Sequence, residues 1–162
     1  MTDVFPNKKI LSAEQALIRI QKYCAYQERS QQEVRNKLYQ WGLRSNEIES
    51  MIVDLIQDNF LKEERFATAF TGGKFRQKKW GKVKIKMALQ EKRVSAPLIK
   101  KALAEISEKD YIKTLKDVIR MKEKLVKEPN SYKRKHMIAS YAIRRGFEPE
   151  LVWSIVGQAD EE

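Results

Sequence analysis

Three segments of this chain repeat one pattern, and that repetition restricts the fold more than any other feature. KLYQWGLRSNEIESMI (37–52), ALQEKRVSAPLIKKAL (88–103) and YAIRRGFEPELVWSIV (141–156) can be laid over one another without gaps. Each has an apolar residue four before a turn position (Leu38, Leu89, Ala142) and another directly after it (Leu43, Val94, Phe147). Further apolar residues fall six and ten beyond the turn, at Ile48, Ile99 and Val152 and at Ile52, Leu103 and Val156. Such spacing describes two helices joined by a tight turn. The period of roughly fifty residues lies in the range where helical units stack. A unit this small buries its own apolar face poorly, so neighbours are expected to pack end to end. The predicted fold is therefore all-α, a tandem repeat of three three-helix units packed as an elongated curved rod.

The units are bounded by local signals. Residues 1–11 carry Pro6 and no clear period, which reads as a flexible N-terminal tail. Repeat 1 spans 12–59. Ser12 with Gln15, Ser30 with Glu33 and Asn46 with Glu49 have capping-box spacing, so each marks a helix start, and Gly42 stands where the second helix should stop. Repeat 2 spans 60–107 and carries Phe66, Ala67 and Phe70, then Ile85, Ala88 and Leu89, then a third helix opened by Ser95 with Pro97 in its first turn. Val83 to Met87 alternates with period two, but no partner strand exists elsewhere and Ile85, Ala88 and Leu89 continue a helical stripe, so helix is predicted. Gly72-Gly73 lies inside the first helix of this repeat, where each Gly costs about 1 kcal/mol relative to Ala. Either the helix kinks there or a partner approaches its backbone. Repeat 3 spans 108–158, with Gly146 ending its second helix and Pro149 opening its third. Residues 159–162 form an acidic tail.

Composition narrows the function classes. With 42% hydrophobic and 34% charged residues the chain folds and presents an ionic surface. Apolar runs are broken well before the roughly 18 to 20 residues a membrane span requires, and MTDVFPNKKI has no apolar h-region, so a cytoplasmic protein without membrane contact is expected. Cys24, the sole cysteine, falls in register with Leu17 and Ile20 and reads as a core thiol. His136 is the sole histidine, without the companions of a metal site or a triad. Gly72-Gly73 lacks the Gly-Lys-Ser/Thr of a phosphate-cradling loop. Glu63 and Glu64 point apart on a helix and complement its N-terminus. No enzyme, cofactor or metal is expected, and a monomer is.

The positive signal is charge. The chain carries a net +11, distributed unevenly. Glu47 to Glu64 is mainly acidic; Lys74, Arg76, Lys78, Lys79, Lys82, Lys84 and Lys86 follow with no acid among them. Lys92 and Arg93 end the next helix, and Lys133, Arg134 and Lys135 with Arg144 and Arg145 form a second patch on another unit. Two basic patches along a rod suit an extended acidic partner, either a protein groove or a nucleic-acid backbone. Trp80, beside Gly81 in the cationic turn, serves either stacking on a partner or packing. Short paired helices with this charge also describe a sequence-independent module for single- or double-stranded DNA.

Glu28-Arg29-Ser30, then Glu33-Val34, Lys37-Leu38 and Gly42, then Leu61-Lys62-Glu63-Glu64-Arg65-Phe66-Ala67, then Lys78-Lys79-Trp80-Gly81 with Ile85 and Leu89, together resemble the RecX family of bacterial recombination regulators. The likeness covers residues 13–106 well and the third unit more loosely. It implies tandem three-helix repeats and a protein that binds in the groove of the RecA filament on single-stranded DNA. Members of that family mostly restrain RecA, and so act on recombination, DNA repair and the SOS response. The chain departs from the family pattern at Arg93, where the second helix usually ends in Gly. A non-Gly residue resists positive φ, so a different cap is expected there.

Overall fold

The structure is a computed structural model that describes residues 11–158. Among them the regular elements are helices: α1 (Ala13–Tyr26), α2 (Gln31–Gln40), α3 (Ser45–Gln57), α4 (Glu63–Lys78), α5 (Lys82–Glu91), α6 (Ala96–Ala104), α7 (Glu108–Leu125), α8 (Ser131–Arg144) and α9 (Pro149–Gln158). The chain is all-helical, and the principal packing runs within α1–α3, α4–α6 and α7–α9. Segment 82–91, where period two competed with period 3.6, is helical throughout. Residues 1–10 of the predicted N-terminal tail and the predicted acidic tail lie outside the described residues. Leu11, assigned to that tail, is instead 7% exposed in the first core and donates its N–H to the Trp41 carbonyl at 3.1 Å.

The repeat seen in sequence is a repeat of one helix-ending motif. After α2, the Leu43 N–H reaches back to the Leu38 carbonyl and the Gly42 N–H to that of Tyr39. After α5 the same two bonds run from Val94 to Leu89 and from Arg93 to Gln90; after α8 they run from Phe147 to Ala142 and from Gly146 to Ile143. This is the Schellman arrangement, in which a left-handed residue turns the chain so that the last carbonyls find donors. Gly42 takes φ 87° and Gly146 φ 102°, but Arg93 also adopts φ 59°, so the different cap expected there does not exist. The three-way register prevails over a local cost of about 1–2 kcal/mol for a left-handed L residue. Both halves of the turn are buried apolar residues (Leu89 0%, Val94 5%), and a different turn would expose one of them.

Helix starts follow the sequence less closely. Ser12 and Gln15 form the full capping box. Ser30 Oγ accepts the Glu33 N–H, but Glu33 does not return the bond. The third helix begins at Ser45 with Arg44 as N-cap, whose N–H is accepted by Glu47 Oε1 at 3.2 Å, two residues before the Asn46 to Glu49 pairing predicted. Helix α4 runs unbroken through Gly72-Gly73, and the space beside Gly73 is open.

Among the described residues two hydrophobic cores result. The first is built from α1–α3 with Leu11 and Leu61. The second is continuous from α4 to α9, from Phe66 through Tyr111 to Phe147 and Val156. Cys24 is buried in the first core, and burial pushes its thiol up to about 11, as a packing residue requires.

Candidate partner-binding face

The cationic run occupies the end of α4, the turn 79–81 and the start of α5, and that turn is clamped from behind by the third triplet. Gly81 N–H donates to the Arg145 carbonyl and Val83 N–H to the Gly146 carbonyl, both at 2.9 Å, while Lys82 N–H donates to the Tyr111 hydroxyl at 3.0 Å. The free donors at the N-terminus of α5 thus meet the free carbonyls at the C-terminus of α8, head to tail. The approach needs two glycines: a Cβ on Gly81 would lie 2.2 Å from the Gly146 carbonyl carbon, and one on Gly146 would lie 2.3 Å from Lys84 Cβ. Tyr111 is 4% exposed and its hydroxyl donates to the Glu148 carboxylate (2.9 and 2.8 Å). Burial pushes its ionisation well above the ordinary tyrosine range.

Held this way, the run presents its charge outward without acidic partners. Among the described residues the ion pairs take Arg35 with Glu49, Arg65 with Glu28, Lys92 with Glu33, Lys101 with Glu64 and Arg120 with Asp117, and none involves a residue between Lys74 and Lys86. Aromatic rings receive several of these cations instead. The Lys74 and Lys84 ammonium groups lie 4.9 and 4.5 Å from the Trp80 ring centre, and Lys82 lies 4.9 Å from that of Tyr111. A ring face attracts a cation without neutralising it. Trp80 itself is half-buried and packs against the second core. Arg76, Lys78 and Lys86 are exposed; Lys79 is half-buried at φ 53°, its ammonium 3.6 Å from Met121 Sδ.

Other predicted site residues have work inside the fold. Lys92 pairs with Glu33 across the first and second triplets at 2.7 Å. Arg134 donates to the Val126 carbonyl and, at 2.8 Å, to that of Glu123, closing the C-terminus of α7. Arg145 donates to the Lys78 carbonyl. Those three guanidinium or ammonium groups thus have neighbours within the fold while staying partly exposed. Arg93 is exposed beyond α5, Lys133 is exposed in the first turn of α8, and Lys135 is half-buried. Arg144 is exposed at the other end of α8, about 17 Å from Lys133 along the helix axis. The second patch is therefore split: its Arg144-Arg145 end adjoins the 78–81 turn, while Lys133 stands apart.

Sequence reasoning also missed a ring cluster. Tyr132 and His136 on α8 lie 4.5 Å apart, and His136 lies 4.8 Å from Trp153 on α9. His136 further lines a hollow of about 300 Å³ with Lys122, Met137, Ser140 and Arg144. The i, i+4 spacing of Tyr132 and His136 was legible; the placement of Trp153 beside them depends on how α9 packs. No group of His, Cys, Asp and Glu among the described residues is placed to hold a metal ion, and no helix there is long and apolar enough to cross a membrane.

Comparison with known proteins places the fold. Profiles described as "RecX, first three-helix domain" and "RecX, second three-helix domain" match residues 16–55 and 63–103. The regulatory protein RecX of Lactobacillus johnsonii is 28% identical over 162 residues, covering 100% of this chain and 60% of that protein. That of Haemophilus influenzae is 27% identical over 139 residues, 85% of this chain and 90% of its own. The chain thus spans about six-tenths of some curated relatives and nine-tenths of others. The crystal structure of RecX from Lactobacillus salivarius superposes with a TM-score of 0.80 at 17% identity, over 93% of this chain and 97% of that one, which is a likeness of fold.

Proposed function

The chain belongs to the RecX family, whose curated members are named regulatory proteins, and on that premise we propose that it regulates the RecA recombinase, mainly by inhibition, from the groove of the RecA filament on single-stranded DNA. The observation that supports this reading is the segregation of charge. Acids pair with Arg35, Arg65, Lys92 and Lys101, while the 74–86 run stays positive and rigidly backed. A surface of like charges repels itself until an acidic partner arrives, and a rigid backing keeps the ordering cost of that encounter low. Tandem units 12–59, 60–107 and 108–158 give an extended surface able to touch successive protomers of a filament and hinder their cycling. The reading assigns contact to Arg76, Lys78, Lys79, Lys82, Lys84 and Lys86, with Arg93 and Arg144 at the margins.

ATP hydrolysis by RecA on single-stranded DNA tests it. The expected result is suppression when this protein is present in stoichiometric amount, and unchanged turnover in excess protein would overturn it. A second reading, sequence-independent binding of bare DNA, draws on the Tyr132, His136 and Trp153 rings beside Lys122 and Arg144, since stacking rings next to cations suit single strands. Binding of that kind falls steeply between about 50 and 200 mM salt.

A further inference from the structure

The first and second triplets share a register, so their surfaces can be compared residue by residue. Arg35 on α2 and Glu49 on α3 form a two-pronged ion pair, at 2.7 and 3.2 Å, that ties the outer edges of these helices together. In the second triplet the equivalent positions are Lys86 on α5 and Lys100 on α6. Two ammonium groups cannot pair, and here the helices flank an open hollow of about 650 Å³. Half-buried Leu103 with exposed Ala96 and Ala104 gives it an apolar floor over the core residues Val94 and Ile99; Lys82, Lys86 and Lys100 contribute its rim. No acid is paired with any of the three lysines among the described residues.

We propose that this hollow is a docking groove for an acidic amphipathic segment of a partner protein, which seats an apolar side chain on the floor and sets carboxylates against Lys86 and Lys100. Charge complementarity identifies the occupant. The segment supplies at its ends the acid that Glu49 supplies within the first triplet, and it covers apolar surface that the absent bridge leaves open. Helices recognised in grooves use this combination of an apolar anchor with flanking charge. Lys82 and Lys86 also belong to the proposed filament-binding face, so the identification of the partner as RecA, though not the chemistry of the groove, rests on the preceding reading.

Lys100→Glu tests the idea, because it installs across α5 and α6 the sign pattern of Arg35 and Glu49. The new carboxylate can pair with Lys86 and repels an incoming acid, and the position is exposed, so thermal melting should be unchanged or raised. The probe is a fluorescein-labelled helical peptide with Glu and Leu repeated at one-turn spacing, read by anisotropy beside the same peptide with Lys in place of Glu. The acidic peptide should bind the unaltered protein and bind Lys100→Glu at least tenfold more weakly, with the Lys peptide binding neither. Equal binding to both proteins, preference for the Lys peptide, or no binding of the acidic peptide would overturn the groove. RecA turnover separates the two readings. If the unaltered protein suppresses it and Lys100→Glu does so equally well, the groove is not where the filament docks and the regulator reading stands. If the unaltered protein does not suppress it, the regulator reading falls, while the peptide result still decides the groove.

Discussion

The two joints of this molecule solve the same problem with different chemistry. At each, the middle helix of one triplet begins against the next triplet, and its first N–H needs an acceptor. At the first joint the Gln31 N–H donates to Glu63 Oε1 at 2.6 Å, flanked by the ion pairs Arg65 with Glu28 (2.6 Å) and Lys92 with Glu33 (2.7 Å). At the second, the equivalent Lys82 N–H donates to the Tyr111 hydroxyl, within a run of rings in which Phe75 and Tyr111 centres are 6.1 Å apart and Tyr111 and Phe147 centres 5.2 Å apart. Cores meet across the second joint and stay separate across the first. A polar joint is weak and sensitive to salt and pH; an aromatic one makes its two sides a single cooperative body. The cationic turn sits on the rigid joint, which suits a surface that must hold its charges in place.

Phe147→Ala should have the largest effect. The ring is 1% exposed in the shared core, so truncation should cost about 3–5 kcal/mol. Hydrogen exchange should show protection falling together across α4–α9 while α1–α3 keeps its own; separate loss in α7–α9 alone would break the comparison. Tyr111→Phe keeps the ring but removes an oxygen that serves both the Lys82 N–H and Glu148, at a cost of about 1–3 kcal/mol in denaturant titration. At the polar joint Lys92→Met should cost no more than about 1 kcal/mol, and the difference from the unaltered protein should shrink in high salt. The smallest effect should come from Glu63→Gln, which retains the cap on Gln31. Burial raises the Glu63 carboxyl above the ordinary range. The folded state therefore binds this proton more tightly than the unfolded state, and the group's contribution to stability falls as pH rises from the normal carboxylate pKa through the raised one. Denaturation curves taken across that window should show the variant gaining on the unaltered protein as pH increases; a constant difference would contradict it.

Much of the fold was legible because it is periodic. Leu38, Leu89 and Ala142, with the residue five beyond each, announced the helix turns, and even Arg93 yielded to that register. What stayed hidden was long-range. Nothing near Tyr111 marks it as the acceptor for a helix start 29 residues earlier. Glu63 looked like a charge for its own helix and instead caps α2, 32 residues away. The cationic run was visible as composition, but composition could not say that Arg134 and Arg145 would turn inward to carbonyls or that Lys92 would find Glu33. A list of basic residues becomes a face only once the acids have chosen their partners.

Co-sedimentation with RecA filaments on single-stranded DNA, comparing the unaltered protein with Lys78→Glu, Lys79→Glu and Lys82→Glu combined, tests the role of the cationic turn most directly. The unaltered protein should pellet with the filament, while the triple variant should stay in the supernatant with its melting temperature little changed. A triple variant that melts normally and pellets as fully as the unaltered protein would contradict it.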